Sequence, residues 1–407
     1  MWNTAKLSEV CEIQPPKKEV KNIVENDSAV SFMGMNSLSI EKMYANPEEI
    51  RSLSSVYSGY TYFAENDVLL AKITPCFENG KLGIARGLKN GVGFGSSEFV
   101  VFRCKENILP QFLYYFLNQK SFREEGKKNM SGAVGHKRVR KEFISNSLIS
   151  LPSLAEQQRI VAKLDAAFAE IDTAIEAIEK NSEYANRIFQ NTLATVFQLN
   201  NPDWEKQTLK SITEKIGSGA TPRGGQESYK EEGVSLIRSM NVHDTFFKYE
   251  NLAKIDDEQA SKLSNVTVQD DDVLLNITGA SVARCCVIES DVLPARVNQH
   301  VSIIRVKKDT VMPKLLAYGL VSKPCKDELL SVGDSGGSTR QAITKKQIED
   351  FIFCYPKSRD VQINIVKKLE AVSSETQKLS VIYKKQISQY ISLKSAILAQ
   401  ELQSEAA

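Results

Sequence analysis

The chain carries one pattern twice, about 202 residues apart. Trp2, Leu7 and Val10 return as Trp204, Leu209 and Ile212, and Met35-Asn36 as Met240-Asn241. Asp67-Val68-Leu69-Leu70 returns as Asp272-Val273-Leu274-Leu275, and the strand-like Phe99-Val100-Val101-Phe102-Arg103 as Val301-Ser302-Ile303-Ile304-Arg305. Ser131-Gly132 and Leu151-Pro152 are echoed by Ser335-Gly336 and Tyr355-Pro356, and Ile160 to Asp165 by Ile365 to Glu370. The offset drifts only between 202 and 205, so few insertions separate the copies. A repeat of this period means two copies of one domain.

At 407 residues, 42% hydrophobic and 25% charged, the chain is large enough for two cores plus connecting elements. It has no apolar run of bilayer-spanning length and no basic-then-apolar leader, so it reads as cytoplasmic. The seven cysteines are scattered, with no Cys-x-x-Cys, and Cys285-Cys286 suits neither a disulfide nor zinc. Reduced, mostly buried thiols are expected. The net charge of +2 is unremarkable, but its distribution is not. Lys127, Lys128, Lys137, Arg138, Arg140 and Lys141 crowd one stretch, and Lys345-Lys346 marks the matching place in the second copy. Such clusters fit two phosphate-contacting surfaces as well as solvated faces.

Each copy divides into a strand-rich globular part and a helical tail. Short β-rich runs at Asp67 to Ile73, Glu98 to Arg103, Asp272 to Thr278 and Val301 to Val306 are separated by turn signals. Helices are expected around Leu109 to Asn118, near Lys141, and from Met312 to Leu320. Regular strand–helix alternation is missing, which argues against a doubly wound nucleotide-binding sheet.

The tails carry heptad seams. The first runs Ile160, Leu164, Ala167, Ile171, Ala174, Ile178, Asn181, Ala185, Ile188, beside a seven-residue stripe of Val161, Phe168, Ile175, Phe189 and Val196. The second runs Ile365, Leu369, Val372, Thr376, Leu379, Tyr383, Gln386, Tyr390, Leu393, Ile397. This is the coiled-coil pattern, and about 40 residues make a rod roughly 60 Å long. Ser153 and Glu156 form a capping box at the first start, Ser358 and Asp360 serve the second, and Asn200-Asn201-Pro202 ends the first rod. Two seams of equal length most simply pack on each other. Asn181 and Gln386, each 21 residues into its seam, are expected to fix the register as buried amides meeting across an antiparallel pair; an amide at a solvated edge is the alternative.

Catalytic constellations are missing. Gly132-Ala133-Val134-Gly135-His136-Lys137 has the wrong spacing for a phosphate loop, and Gly91-Val92-Gly93-Phe94-Gly95 leads into a strand and reads as a turn. His136, His243 and His300 lack partners at ligand spacing, so neither a metal site nor histidine acid–base chemistry is expected. Asn201-Pro202-Asp203-Trp204 mimics the Asn-Pro-Pro-aromatic motif of amino-methyltransferases without its second proline. It reads as a helix stop followed by the counterpart of Trp2.

A globular domain, a long helix, a second globular domain and a second long helix together resemble the specificity subunits of type I restriction–modification systems. The most telling string is Leu151-Pro152-Ser153-Leu154-Ala155-Glu156-Gln157-Gln158-Arg159-Ile160-Val161, a Pro-x-x-x-Glu-Gln-x-x-Ile segment of the kind that opens the helix in that family. In the second copy Pro356 and Gln362 survive, but Asp360 and Val361 replace the Glu-Gln pair. Gly219-Ala220-Thr221-Pro222, Asn298-Gln299 and Ser338-Thr339-Arg340 are also similar to family strings, while the first copy has Gln14-Pro15-Pro16 in place of the Thr-Pro loop.

The resemblance implies a mixed α/β (α+β) fold: two homologous target recognition domains, joined by two long helices in an antiparallel intramolecular coiled coil with pseudo-two-fold symmetry. The expected divisions are residues 1–151, 152–201, 202–355 and 356–407. It also implies a non-catalytic subunit in which each domain reads half of a bipartite site in double-stranded DNA. The helices would set the spacer and dock two methyltransferase subunits, and through them restriction and translocase subunits. S-adenosylmethionine, ATP and magnesium would be bound by those partners. A coiled-coil scaffold with no role on DNA, or the targeting module of a fused endonuclease–methyltransferase, are the competing readings. Arginine suits guanine, and Asn or Gln suits adenine. Candidate DNA contacts are therefore Lys72, Lys81, Arg86, Lys137, Arg138 and Arg140 in the first domain. In the second they are Thr221, Arg223, Arg238, Asn241, Arg284, Asn298, Gln299 and Arg340. Asn241 has a twin in Asn36, which suggests a structural job shared by both copies.

Overall fold

A computed structural model describes residues 2–25, 27–40, 42–133, 135–198, 203–334 and 342–403. The chain forms two compact units, Met1–Ile178 with Lys385–Ala407, and Glu179–Lys384. Each unit therefore holds one globular domain and half of each long helix.

In the first unit the central sheet runs Cys11–Ile13, Phe99–Cys104, Val68–Ala71, Leu82–Ala85 and Tyr44–Ala45 in spatial order. A second sheet orders Glu49–Ser52, Ala29–Met33, Val92–Gly95 and Thr61–Ala64. The Val68–Ala71 and Leu82–Ala85 strands are buried along their whole length, and the Pro110–Leu117 helix contributes Phe112, Leu113 and Tyr115 to the core. Gly91 closes a turn at φ +67°, as expected, but Val92–Gly95 is a strand of the second sheet. A Cβ on Gly93 would lie 2.1 Å from the Phe63 ring, so the glycine makes room for an aromatic side chain.

The second unit repeats the plan. Thr213–Ser218, Val301–Val306, Val273–Asn276 and Cys285–Val287 form its central sheet, and Ala253–Ile255, Val234–Ile237 and Ala295–Val297 its smaller one. The Pro313–Val321 helix takes the place of Pro110–Leu117. In both units the first strand pairs with the last: Asn3–Lys6 with Leu148–Leu151, and Trp204–Thr208 with Ile352–Pro356. Trp204 packs edge-on to Phe197 at 5.9 Å, as the counterpart of Trp2, which lies against the first core. None of the seven cysteines is joined in a disulfide.

The repeated Asp and Arg form one buried device. Arg103 donates from Nε and Nη2 to Asp67 at 3.0 and 2.9 Å, and Arg305 from the same atoms to Asp272 at 2.8 Å each. Each carboxylate also accepts from a backbone N–H three residues earlier, Ala64 or Gln269. The pair ties the entry of one central strand to the far end of its neighbour, and removing one partner would strand a buried charge.

The tails are single helices, Leu154–Val196 and Arg359–Glu401, of 43 residues each. Neither contains glycine or proline, so nothing interrupts their hydrogen-bond ladders. Ser153 caps the first, its Oγ accepting from the Glu156 N–H at 3.3 Å. The expected capping box is only half formed, because the Glu156 carboxylate turns to Arg159 at 2.7 and 2.8 Å. Two charge-assisted donors on the next turn outcompete one backbone amide. The expected stop at Asn200-Asn201-Pro202 lies outside the described residues.

Inside each unit the two helix halves run antiparallel. In the first, Lys163 pairs with Glu401 at 2.6 Å and Lys394 with Asp172, while Ile160 and Leu164 share a core with Leu398 and Leu402. In the second, Phe189 and Leu193 share a core with Val366 and Leu369. The seam does not follow the expected residues throughout. Asn181 and Gln386 are exposed, and the next residues, Ser182 and Ile387, are half-buried instead. The cause is the mismatch between 3.6 and 3.5 residues per turn. Three heptads on, a straight helix has rotated about 60° away from the seam, whereas the following residue sits about 40° from it on the other side. Leu393, four heptads on and about 80° from the seam, is exposed for the same reason. The amides are not buried register keys.

What fixes each helix to its domain is a buried glutamine. Gln157 Oε1 accepts from Leu109 N–H at 2.9 Å, and its Nε2 donates to the carbonyls of Asn107 at 2.9 Å and Pro152 at 3.0 Å. Gln362 repeats this with Met312 N–H at 2.8 Å and the carbonyls of Thr310 and Pro356 at 2.9 Å each. Both side chains have no solvent exposure.

Two stability predictions follow from these helices. Gln157→Ala or Gln362→Ala leaves a backbone N–H and two carbonyls unpaired and should cost about 3 kcal/mol or more, seen as a lower denaturant midpoint. The exposed neighbour Gln158→Ala should cost less than about 0.5 kcal/mol. By contrast, Asn181→Leu should shift the midpoint by no more than about 0.5 kcal/mol, whereas Ala185→Asp, at a buried seam position, should destabilise by several times as much.

Candidate nucleic-acid interface

The two domains share a backbone corner where the central sheet ends. In the first, Lys72 N–H donates to the Glu98 carbonyl at 3.0 Å, and Val139 N–H to the Lys72 carbonyl at 2.9 Å. In the second, Ile277 N–H donates to the His300 carbonyl at 2.9 Å, and Ile343 N–H to the Ile277 carbonyl at 2.8 Å. A bridge joins Ile73 to Arg138 in one and Thr278 to Ala342 in the other. The frames match bond for bond, yet the side chains do not: Lys72, Glu98 and Arg138 in one copy stand where Ile277, His300 and Ala342 stand in the other.

In the first corner the Arg138 guanidinium grips Glu98, with Nε at 2.9 Å from Oε2 and Nη2 at 2.7 Å from Oε1, while Nη1 donates to the His136 carbonyl at 3.2 Å. That hydrogen bond holds the Glu98 carboxyl below its ordinary range and raises the Arg138 pKa. Lys72 Nζ donates to the Ser97 carbonyl at 2.9 Å. Gln14 and Pro15 face Ser97 across a surface cavity of about 380 Å³, so the string that stands in for the Thr-Pro loop borders the same corner.

The second corner is polar and uncharged by comparison. Thr221 hydroxyl donates to Gln299 Oε1, Gln299 Nε2 lies 3.1 Å from His300 Nε2, and His300 Nδ1 lies 2.5 Å from Thr278 Oγ1. Two strings far apart in sequence, Gly219 to Pro222 and Asn298-Gln299, meet here through Gly219 N–H and the Asn298 carbonyl at 3.1 Å. The approach requires glycine: a Cβ on Gly219 would lie 1.9 Å from the Val297 carbonyl oxygen.

The remaining candidates scatter. Lys137 and Arg140 are exposed beside Arg138. Lys81 is tied to the Met35 carbonyl at 3.0 Å, and Arg86 is exposed with its guanidinium over the Tyr44 ring at 4.0 Å. Arg223 is exposed in the loop after Thr221, and Arg284 is half-buried where the Val273–Asn276 and Cys285–Val287 strands turn. Arg238 donates to the Asn251 carbonyl and faces the Tyr229 ring at 5.2 Å. Arg340 lies outside the described residues, as do Ser335-Gly336 and Ser338-Thr339.

Two expected contacts are structural. Asn241 is fully buried, accepting from Arg238 N–H and donating to the Lys248 and Glu250 carbonyls, which uses its amide inside the fold. Asn298 is 4% exposed and accepts from His300 N–H at 3.0 Å, shaping the turn rather than facing outward. Glu98, His300 and Thr278 also line the two corners, and no motif marks them in the sequence. The repeat offset that aligns Phe99 with Val301 also aligns Glu98 with His300, and that was the available signal.

A duplicated domain with one frame and two unlike faces, mounted on paired helices, is the class that this geometry defines. Residues 1–182 and again 201–388 match the type I restriction modification DNA specificity domain, and the chain belongs to that family. It is 30% identical over 241 residues to the type I restriction enzyme EcoAI specificity subunit of Escherichia coli, and 36% identical over 241 residues to the EcoEI specificity subunit of the same species. Each alignment covers 58% of this chain but only 39% of the relative. Among solved structures, a chain from a study of complex assembly and conformational transition of the type I R-M system superposes with a TM-score of 0.79 at 19% identity. That match covers 99% of this chain and 98% of the other. The HsdS subunit from Thermoanaerobacter tengcongensis superposes with a TM-score of 0.56, also at 19% identity, over 98% and 96%. At these identities the structural likeness concerns the fold. No helix among the described residues is long and apolar enough to cross a membrane.

The Arg138–Glu98 pair has a pH signature. Glu98 has a lowered pKa, so the pair is intact above the ordinary carboxylate range and is lost as pH falls through that lowered value. In Arg138→Ala the Glu98 carboxyl should titrate at a higher pH than in the parent protein, read by NMR on glutamate-labelled protein.

Proposed function

We propose that this chain is the DNA sequence-specificity subunit of a cytoplasmic type I restriction–modification complex, with catalysis carried by other subunits. The observation that carries the reading is the duplicated corner: one backbone frame, two chemically unlike exposed faces. A scaffold that served only to join other proteins would have no use for that divergence. In this reading residues 1–151 and 202–355 each recognise one half of a bipartite site in double-stranded DNA, and the helices of 152–201 and 356–407 set the gap. Lys137 and Arg140, exposed beside the first corner, contact phosphates and fix register, while the corner side chains face base edges.

The helices also offer a docking surface for two methyltransferase subunits, which bind S-adenosylmethionine. Restriction and translocase subunits, which use ATP and magnesium, join through them. Support comes from large apolar side chains left in solvent on the second unit's helix halves: Tyr184 at 55%, Ile188 at 59% and Ile382 at 49% exposure.

Three measurements test this. Co-expression with a type I methyltransferase subunit, followed by genome-wide mapping of methylated adenines, should give a two-part motif, and exchanging residues 1–151 for those of a relative should change one part only. Four residues inserted into both helices add about 6 Å and should widen the gap by one or two base pairs; an unchanged gap removes the ruler. Lys137→Ala with Arg140→Ala should reduce the slope of log affinity against log salt by about 2, since each lost phosphate contact removes about 0.9.

A further inference from the structure

We propose that the shared corner presents one pre-held reading side chain per domain: Arg138, held by Glu98, for a guanine, and Gln299, held by Thr221 and His300, for an adenine. This rests on the DNA-reading function proposed above and names the residues that carry it. Where both copies do the same structural job, the residues are the same or nearly so: Asp67 and Asp272, Arg103 and Arg305, Gln157 and Gln362. At the corner the backbone hydrogen bonds agree within 0.1 Å, yet Lys72, Glu98 and Arg138 of one copy stand where Ile277 (which is buried), His300 and Ala342 stand in the other. A frame kept while its side chains change is the signature of positions whose identity answers to something outside the fold.

The donor and acceptor accounts fit two different bases. A guanidinium has five N–H donors. Arg138 commits Nε and one Nη2 hydrogen to Glu98 and one Nη1 hydrogen to the His136 carbonyl. Two donors remain, matching the O6 and N7 acceptors on the major-groove edge of guanine. Glu98 thereby acts as a positioning residue. It restrains an exposed side chain that would otherwise lose rotamer freedom on binding.

Gln299 offers a donor and an acceptor instead. Its Oε1 takes the Thr221 hydroxyl, and one Nε2 hydrogen goes to His300 Nε2. His300 Nδ1 then carries the ring hydrogen and donates to Thr278 Oγ1. The exposed amide keeps one N–H and one lone pair, the complement of adenine N7 and N6. Thr221 and His300 stand to Gln299 as Glu98 stands to Arg138.

The test is selection of a randomised duplex library by the full-length chain assembled with type I methyltransferase subunits, followed by sequencing. The parent protein should enrich two separated blocks, one with a required guanine and the other with a required adenine. Arg138→Ala should abolish the guanine preference, and Glu98→Gln should weaken it about tenfold, each leaving the other block untouched. Gln299→Ala and His300→Phe should do the same to the adenine alone. A purely structural role would lower binding to every sequence alike without altering base preference. Should Glu98→Gln melt early, Arg138→Lys keeps the charge without the bidentate fork and should retain binding while losing guanine selectivity. Unchanged preferences in folded variants, or both blocks changing together, overturn this assignment while the specificity function stands. A parent protein that enriches no sequence overturns the function itself.

Discussion

Each long helix is held to its domain by one buried glutamine, and the rest of the architecture depends on that attachment. The side chain spans a gap between two otherwise unconnected stretches of backbone, using its acceptor on one N–H and its donors on two carbonyls. A carboxylate of the same size could satisfy only the N–H, and an aliphatic side chain none of the three. The helix leaves the domain in a defined direction because a directional group, rather than apolar contact alone, sets it. Gln362 makes the same three bonds although the string around it has drifted to Asp360 and Val361. The glutamine is what the motif is for.

The buried Asp–Arg pairs do for the sheet what the glutamines do for the helices. Together they explain why the internal repeat survives where it does: the echoes fall on buried polar groups with fixed partners and on core strands. Away from those points the copies have diverged. Among the described residues the smaller sheet has four strands in one copy and three in the other, and Lys72, Glu98 and Arg138 at one corner correspond to Ile277, His300 and Ala342 at the other.

Much of the fold was legible in the sequence because it rests on short-range periodicity. Four central strands, Val68–Ala71, Phe99–Cys104, Val273–Asn276 and Val301–Val306, and the Pro110–Leu117 and Pro313–Val321 helices lie within two residues of expectation. The two long helices were equally plain. The register of their seam was not, since a heptad template hides the slow rotation of a straight helix that half-buries Ser182 and leaves Asn181 in water. The site was less legible still. Asn241 and Asn298 looked like readers by residue type, but a polar side chain in a turn is as often consumed by nearby backbone, and only three-dimensional partners reveal which. Glu98 and His300 carry no reader signal of their own, since one is acidic and the other has no partner at ligand spacing in the sequence. The family strings Gly219 to Pro222 and Asn298-Gln299 did point to one place, although nothing in their spacing says that they touch.

The division into units also bears on how the chain is made. The second unit is one continuous stretch, Glu179–Lys384, and can close its core as soon as that stretch has left the ribosome. The first is discontinuous: Ile160 and Leu164 are covered by Leu398 and Leu402, which are synthesised more than 230 residues later. The core of the domain nearer the N-terminus is thus closed only when the end of the second long helix arrives, after the whole second unit.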